Sequence, residues 1–212
     1  MSLSLTRKGG TLFVLSAPSG GGKSTVLRSL LAHVEGLRYS VSVTSRVPRG
    51  GEREGVDFHY VSQEEFQDLI DHKAFYEWAK VHGNYYGTRK SVVEEHLVAG
   101  EDVAMDLDVQ GACQIKGMKP EAVTIFLLPP SLDILERRLR GRETDGESVI
   151  QVRMQNAAQE ISQSHLFDYR VVNDDLDKTI ARIQHIIESE RFRSIRQVLQ
   201  VVNEPAVEKL LK

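Results

Sequence analysis

The sequence predicts an α/β fold, a mainly parallel sheet with helices on both of its faces. Two observations carry that expectation. Short apolar runs of β-type residues, at 11–15, 102–108 and 123–128, alternate with stretches whose apolar residues recur at helical spacing, at 23–34, 109–116 and 132–139. A run of glycines, Gly20-Gly21-Gly22, stands at the junction of the first strand and the first helix, and α/β sheets gather their binding loops at the carboxyl ends of the strands. A chain of 212 residues with 41% hydrophobic content suits one such domain with excursions from it.

The glycine junction reads Ala17-Pro18-Ser19-Gly20-Gly21-Gly22-Lys23-Ser24, with Thr25 following. Strand, glycine-rich loop and helix are the setting of a phosphate-binding P-loop. Glycines let successive backbone N–H groups face one concavity, and the helix N-terminus adds partial positive charge. Lys23 is placed to reach the β- and γ-phosphates of a nucleotide, and the Ser24 hydroxyl to ligate Mg²⁺. The strict pattern begins with Gly, and here that position is Ala17. Gly36 ends the first helix.

Residues 39–43 alternate as a short strand. The loop at 44–55 carries Arg46, Arg49 and Arg53. It reads either as a solvated charged loop or as a second anion site, in which Arg46 and Arg49 clamp an acceptor's phosphate through planar, bidentate contacts. Strand character returns at 58–61, and Ser62-Gln63-Glu64-Glu65 is a capping-box signature for a helix at 64–71. Residues 75–79 and 85–88 read as neighbouring strands around a turn at His82-Gly83-Asn84. They carry Glu77, Tyr86 and Thr88. One reading makes Glu77 an exposed strand residue and Tyr86 and Trp78 core. The other sets a carboxylate beside hydroxyls that read a nucleobase. Guanine would donate N1–H and its 2-amino group to Glu77, and its O6 would accept from Thr88 or Ser42.

A helix at 90–99 ends at Gly100, and the strand at 102–108 finishes in Asp106 and Asp108. A carboxylate at such a strand end can organise Mg²⁺ or its waters, as Asp106 would. Pro129-Pro130 breaks the chain and Ser131 caps the helix that follows. Residues 136–142 are the most basic stretch, with Arg138 and Arg142. These arginines either complement a helix C-terminus or ride a mobile lid, with residues 143–147 as its tip, onto a transferring phosphoryl group. A helix at 148–166 brings Arg153, residues 169–172 form the last short strand, and Asn173-Asp174-Asp175 turns into a long helix at 176–202.

A net charge of −3 gives no support for broad nucleic-acid binding. Cys113, the single cysteine, cannot form an internal disulfide and reads as small packing rather than as a nucleophile. Neither a signal peptide nor a membrane-spanning run is evident. A soluble, cytoplasmic protein is expected, as a monomer or a homodimer.

These motifs together resemble guanylate kinase. The resemblance runs from Gly10 to about Arg193, through Ser16 to Thr25, Val41-Ser42-Val43-Thr44-Ser45-Arg46-Val47-Pro48-Arg49, Gly83-Asn84-Tyr85-Tyr86-Gly87-Thr88, Asp106-Leu107-Asp108-Val109-Gln110-Gly111, Arg138-Leu139-Arg140-Gly141-Arg142 and Val172-Asn173-Asp174-Asp175. It implies a P-loop NTPase sheet as core (1–40, 91–140 and 154–212), a GMP-binding excursion (about 41–90) and a lid (about 141–153). It implies Mg²⁺-dependent transfer of the ATP γ-phosphoryl group to GMP, or to dGMP. By resemblance, residues 17–25 and Asn173 serve ATP, while Ser42, Arg46, Arg49, Glu77, Tyr86, Thr88 and Asp108 serve GMP. Lys23, Arg46, Arg138, Arg142 and Arg153 surround the chemistry, and Ser24 and Asp106 serve Mg²⁺. The family usually has Tyr where this chain has Phe58; losing that neutral hydrogen bond should cost on the order of 1 kcal/mol. Guanylate-kinase-like domains of scaffold proteins, which bind peptides, are the rival reading, and a kinase for another monophosphate or a sugar phosphate is a third.

Overall fold

The computed structural model describes residues 2–81, 83–141 and 146–202. Its centre is a five-stranded sheet of β2 (Leu12–Ser16), β3 (Leu37–Tyr39), β8 (Asp102–Asp106), β9 (Val123–Leu128) and β10 (Tyr169–Val172), in the order β10-β9-β2-β8-β3. Every pairing in it is parallel. Because side chains alternate along a strand, β2 feeds two cores. Phe13 and Leu15 pack with Val26, Leu27 and Leu30 of α1 (Lys23–His33) and with Ile180, Ile183 and Ile187 of α7 (Leu176–Arg191). Leu12 and Val14 pack on the opposite face with Val93 and Leu97 of α3 (Lys90–Val98) and Ile115 of α4 (Val109–Met118). Burial on both faces explains the near-continuous apolar runs.

A second sheet, in the order β5-β4-β7-β6, holds β4 (Val43–Thr44), β5 (His59–Tyr60), β6 (Phe75–Val81) and β7 (Asn84–Arg89). Its small core is aromatic. Phe66, on α2 (Gln63–Asp71), stacks on Phe75 at 4.5 Å and on Tyr85 at 5.2 Å. The expected capping box opens α2, with Ser62 and Glu65 each accepting the other's backbone N–H. Ser131 likewise caps α5 (Leu132–Arg140). Leu135 and Leu139 of α5 pack with Ala157 of α6 (Glu147–Ser162).

Three expectations need correction. The strand expected at 39–43 is two strands in different sheets, β3 ending at Tyr39 and β4 beginning at Val43; an alternating pattern is the same whichever sheet it pairs with. The helix expected to reach residue 202 stops at Arg191, after which β11 (Gln197–Val202) pairs antiparallel with β1 (Ser2–Arg7). Residues 169–172 are therefore not the last strand. Cys113 is exposed rather than packed, because α4 turns Val109, Ala112 and Ile115 to the core.

One buried carboxylate ties the far edge of the central sheet together. Asp102, fully buried, accepts from the Thr11 N–H at 2.7 Å, from Arg191 Nε at 2.8 Å and from the Arg7 guanidinium.

Candidate functional site

Register sets the strand ends side by side. Leu15 pairs with Asp106, Ser16 with Phe126 and Val172 with Leu128, so the loops after β2, β8 and β10 open at one edge of the sheet. The loop after β2 needs glycine at two points. Gly20 and Gly22 have φ of +81° and +90°, in the left-handed region that only glycine enters freely. A Cβ on Gly22 would lie 2.6 Å from Asn173 Nδ2. Lys73 is the only described non-glycine residue with positive φ. Ala17 therefore has no left-handed backbone to support, and its departure from the strict pattern carries no strain.

Asn173, after β10, is buried and donates from Nδ2 to the Gly21 carbonyl at 2.8 Å. Arg138 Nη2 donates to the Asn173 carbonyl at 3.2 Å, and Arg138 Nη1 is buried without a hydrogen-bond partner. These residues line a cleft of about 420 Å³ with Gly20, Gly22 and Thr25. Ser24 and Thr25 are exposed on the first turn of α1. Lys23 Nζ donates to the Leu107 carbonyl at 3.0 Å and lies 3.9 Å from Asp106. Asp106 also accepts from the Tyr39 hydroxyl at 3.0 Å; burial and this carboxylate push the Tyr39 pKa well above its ordinary value.

The second sheet brings the other candidates. A bulge in β6 between Phe75 and Glu77 shifts its register, and bulges re-aim side chains. Phe75 enters the small aromatic core and Tyr76 the large central one. Glu77 is then half-buried opposite Thr88, whose hydroxyl donates to it at 2.7 Å. Burial raises the Glu77 pKa, the Thr88 hydroxyl lowers it, and the Asp108 carboxylate raises it again, with a net upward shift. Asp108 itself caps α4 through the Gly111 N–H at 2.7 Å. Helix α4 packs on β6, so the two sheets meet at these acids. The Ser42 carbonyl accepts from the His59 N–H, which fixes Ser42 at the same sheet.

Arg46 is buried and its guanidinium makes a two-point contact with Glu52, at 2.9 and 2.8 Å. Phe58 lies under it at 5.4 Å, and Tyr86 packs on Phe58 at 5.9 Å, beside the guanidinium. Arg49 is exposed and donates its N–H to Glu52. The solvated-loop alternative does not describe Arg46. Arg153 is half-buried on α6. Arg142 lies outside the described residues, as do residues 143–145 of the expected lid tip at 143–147 and His82 of the expected turn.

The family model described as guanylate kinase matches residues 9–190. The chain belongs to the guanylate kinase family. Curated guanylate kinases from Neisseria gonorrhoeae and Idiomarina loihiensis are 52% and 47% identical to it, covering 92% and 90% of this chain and 95% and 92% of their own lengths. A crystal structure of guanylate kinase from Anaplasma phagocytophilum superposes with a TM-score of 0.73 at 35% identity, over 98% of this chain and 96% of that one. For this guanylate kinase family member, sequence reasoning passed over two acids. Glu52 sits in a loop full of charges, and no local spacing singles it out as the partner of Arg46. Glu160, half-buried on α6, lies near the Ser19 backbone of the glycine loop; burial raises its pKa and that backbone offsets part of the rise.

Proposed function

We propose that this chain is an ATP:GMP phosphotransferase, moving the γ-phosphoryl group of ATP to GMP to give ADP and GDP. The observation that carries the reading is one molecule holding both a glycine loop with its lysine and a buried arginine available to a second phosphate. Lys23 stands with the glycine loop at the strand ends of the central sheet, while Arg46 follows β4 and Glu77 lies on β6 of the second sheet, which meets the first where α4 packs on β6. Family membership over most of the chain supports the same reading.

In this reading the GMP phosphate oxygen attacks the γ-phosphorus of ATP in line. The bond from that phosphorus to the β–γ bridging oxygen breaks, and ADP leaves with the electron pair. The nucleophile is already anionic, so no general base is required and catalysis is positioning plus charge stabilisation. The N–H groups of residues 17–25 and Lys23 hold the donor phosphates. Lys23 exchanges its Leu107 carbonyl for phosphate oxygens. Asn173 lies near the adenine, and Arg138, Arg142 and Arg153 neutralise the group in flight. Arg46, Arg49 and Tyr86 hold the acceptor phosphate. Glu77 takes the guanine N1–H and 2-amino group, with Ser42, Thr88 and Asp108 around the ring. Residues 41–90 and 141–153 are assigned as excursion and lid, whose closure excludes water that would otherwise hydrolyse ATP.

Magnesium fits the donor set at the loop. The exposed Ser24 hydroxyl and the Asp106 carboxylate are hard oxygen donors, and Mg²⁺ characteristically takes one or two protein oxygens together with nucleotide phosphates. When bound it neutralises developing charge on the β- and γ-oxygens. Among the described residues no helix is long and apolar enough to cross a membrane, and a cytoplasmic place in purine nucleotide metabolism follows from the activity proposed.

The test is a coupled ADP-release assay with Mg²⁺–ATP and GMP, dGMP, AMP, CMP or UMP in turn. Strong selectivity for GMP is expected. Activity spread evenly over the monophosphates would remove the role given to Glu77. No activity with any of them, from folded protein that binds ATP, would favour a peptide-binding module.

A further inference from the structure

Arg46 is held in a way that leaves one side of its guanidinium open. Nη1 donates to Glu52 Oε2 at 2.9 Å and to the Val47 carbonyl at 2.8 Å, which uses both of its protons. Nη2 donates to Glu52 Oε1 at 2.8 Å, which uses one. Glu52 therefore takes the end-on fork of the guanidinium. The remaining fork is formed by Nε–H and the second proton of Nη2, which point the same way in the plane of the group. Nε is buried and has no hydrogen-bond partner, an arrangement that costs free energy unless a ligand supplies the acceptor. Tyr86 stands beside this guanidinium without closing that fork, so an anion seated there meets a hydroxyl as well.

Glu52 is itself fixed. Besides Arg46, its Oε2 accepts from the Arg49 N–H at 2.7 Å and from the Tyr60 hydroxyl at 2.8 Å. Phe58, standing where the family usually has Tyr, offers its ring face to Arg46 at 5.4 Å and makes a T-shaped pair with Tyr60, ring centres 6.0 Å apart. The hydroxyl absent at Phe58 is thus present two residues on, bonded to the carboxylate that holds the arginine.

We infer that Glu52 and Tyr60 are positioning residues of the acceptor-phosphate clamp: Tyr60 and the Arg49 N–H lock Glu52 onto the end-on fork of Arg46, and this presents the side-on fork to two phosphate oxygens of the acceptor. The inference rests on the reading of Arg46 as an acceptor-site residue. Tyr60 acts through Glu52 and does not touch the phosphate. Two-point recognition of phosphate by a planar fork is the use to which arginine is best suited.

The test is a double-mutant cycle read as KM for GMP and for ATP. Glu52→Gln turns an amide N–H₂ against the guanidinium and is expected to raise the GMP KM about tenfold or more, the size expected for a charge-assisted contact. Tyr60→Phe is expected to raise it about threefold. The doubly substituted chain should be no worse than Glu52→Gln alone, because Tyr60 has nothing left to hold. The ATP KM should stay within about twofold throughout, which a merely loosened fold would not achieve. A lower GMP KM in Glu52→Gln would mean that Glu52 sits in the phosphate's place, and would overturn the inference. A Tyr60→Phe penalty that persists undiminished in the Glu52→Gln background would mean that Tyr60 contacts the phosphate directly, and would overturn it too. Tyr60→Phe removes a single oxygen, so an unchanged GMP KM in that variant alone ends the Tyr60 part even if Glu52→Gln fails to fold. Absence of GMP-dependent ADP release from the unaltered chain would instead sink the functional reading, and the inference with it.

Discussion

Replacing Gly22 by alanine tests the geometry of the glycine loop quantitatively. The residue sits at φ +90°, ψ +13°, and a Cβ there stands 2.6 Å from Asn173 Nδ2. Holding an L-residue in the left-handed region costs about 1–2 kcal/mol. The clash pushes the Asn173 amide away from the Gly21 carbonyl, which it now meets at 2.8 Å, and a lost buried hydrogen bond adds about 1 kcal/mol. Gly22→Ala should therefore lose roughly 2–3 kcal/mol, a fall in Tm of about 4–12 °C for a chain of this size. Asn173→Ala alone should lose about 1 kcal/mol. Combining them removes the clash but not the backbone strain, so the pair should lose less than the sum of the two by about 1 kcal/mol. Thermal unfolding of all four proteins, with and without ATP, measures each corner of the cycle. Strict additivity would show that Asn173 does not feel the new methyl group, and would refute the account of why glycine is needed at this point.

Four further outcomes are expected. Lys23→Met should abolish ADP release while moving Tm little, since Lys23 gives up only a half-exposed bond to the Leu107 carbonyl; near-normal turnover would overturn the loop assignment. Glu77→Gln should raise the GMP KM far more than the ATP KM, because an amide accepts from fewer donors than a carboxylate; equal damage to both would take Glu77 out of the acceptor site. The pKa of Glu77 is raised above its ordinary value of 4.5, so its ionised form is lost earlier on acidification, and the GMP KM should begin to climb at a higher pH in the parent chain than in Glu77→Gln. Asp102→Asn should cost about 2–4 kcal/mol, below the cost of breaking a fully buried pair because Arg7 and Arg191 are partly exposed and rehydrate; an unchanged Tm would show that the two arginines are held by something else.

Local chemistry made much of this molecule readable. Gly20 and Gly22 announce a backbone that other residues avoid, Ser62 with Glu65 announces a helix start, and the uniform apolar runs of β2 and β9 announce burial on two faces. What stayed hidden depends on partners remote in sequence. Nothing within 39–43 says that Tyr39 joins one sheet and Val43 another. Val198, Leu199, Val201 and Val202 fit a helix continuing from Ile187 as well as they fit a strand, and pairing with β1 decides the matter. The bulge before Glu77 cannot be read from Phe75-Tyr76-Glu77, yet it is what half-buries the carboxylate. Glu52 is one acid among many in a polar loop until the fold lays it on Arg46.

The buried Asp102 also bears on the order in which the molecule assembles. Strands β1 and β11 pair Ser2 with Val202, a contact that almost spans the sequence and is slow to form by chance. A two-stranded ribbon on its own is marginal in water. Arg7, at the end of β1, and Arg191, at the end of α7, are both bound to Asp102 on the central sheet. Once that sheet has formed, one carboxylate gathers both strands to within reach, and the ribbon closes on a frame already built. It is then the last unit to acquire protection and the first to lose it, so its amides should exchange with solvent well before those of Phe13 or Ile125 in the core.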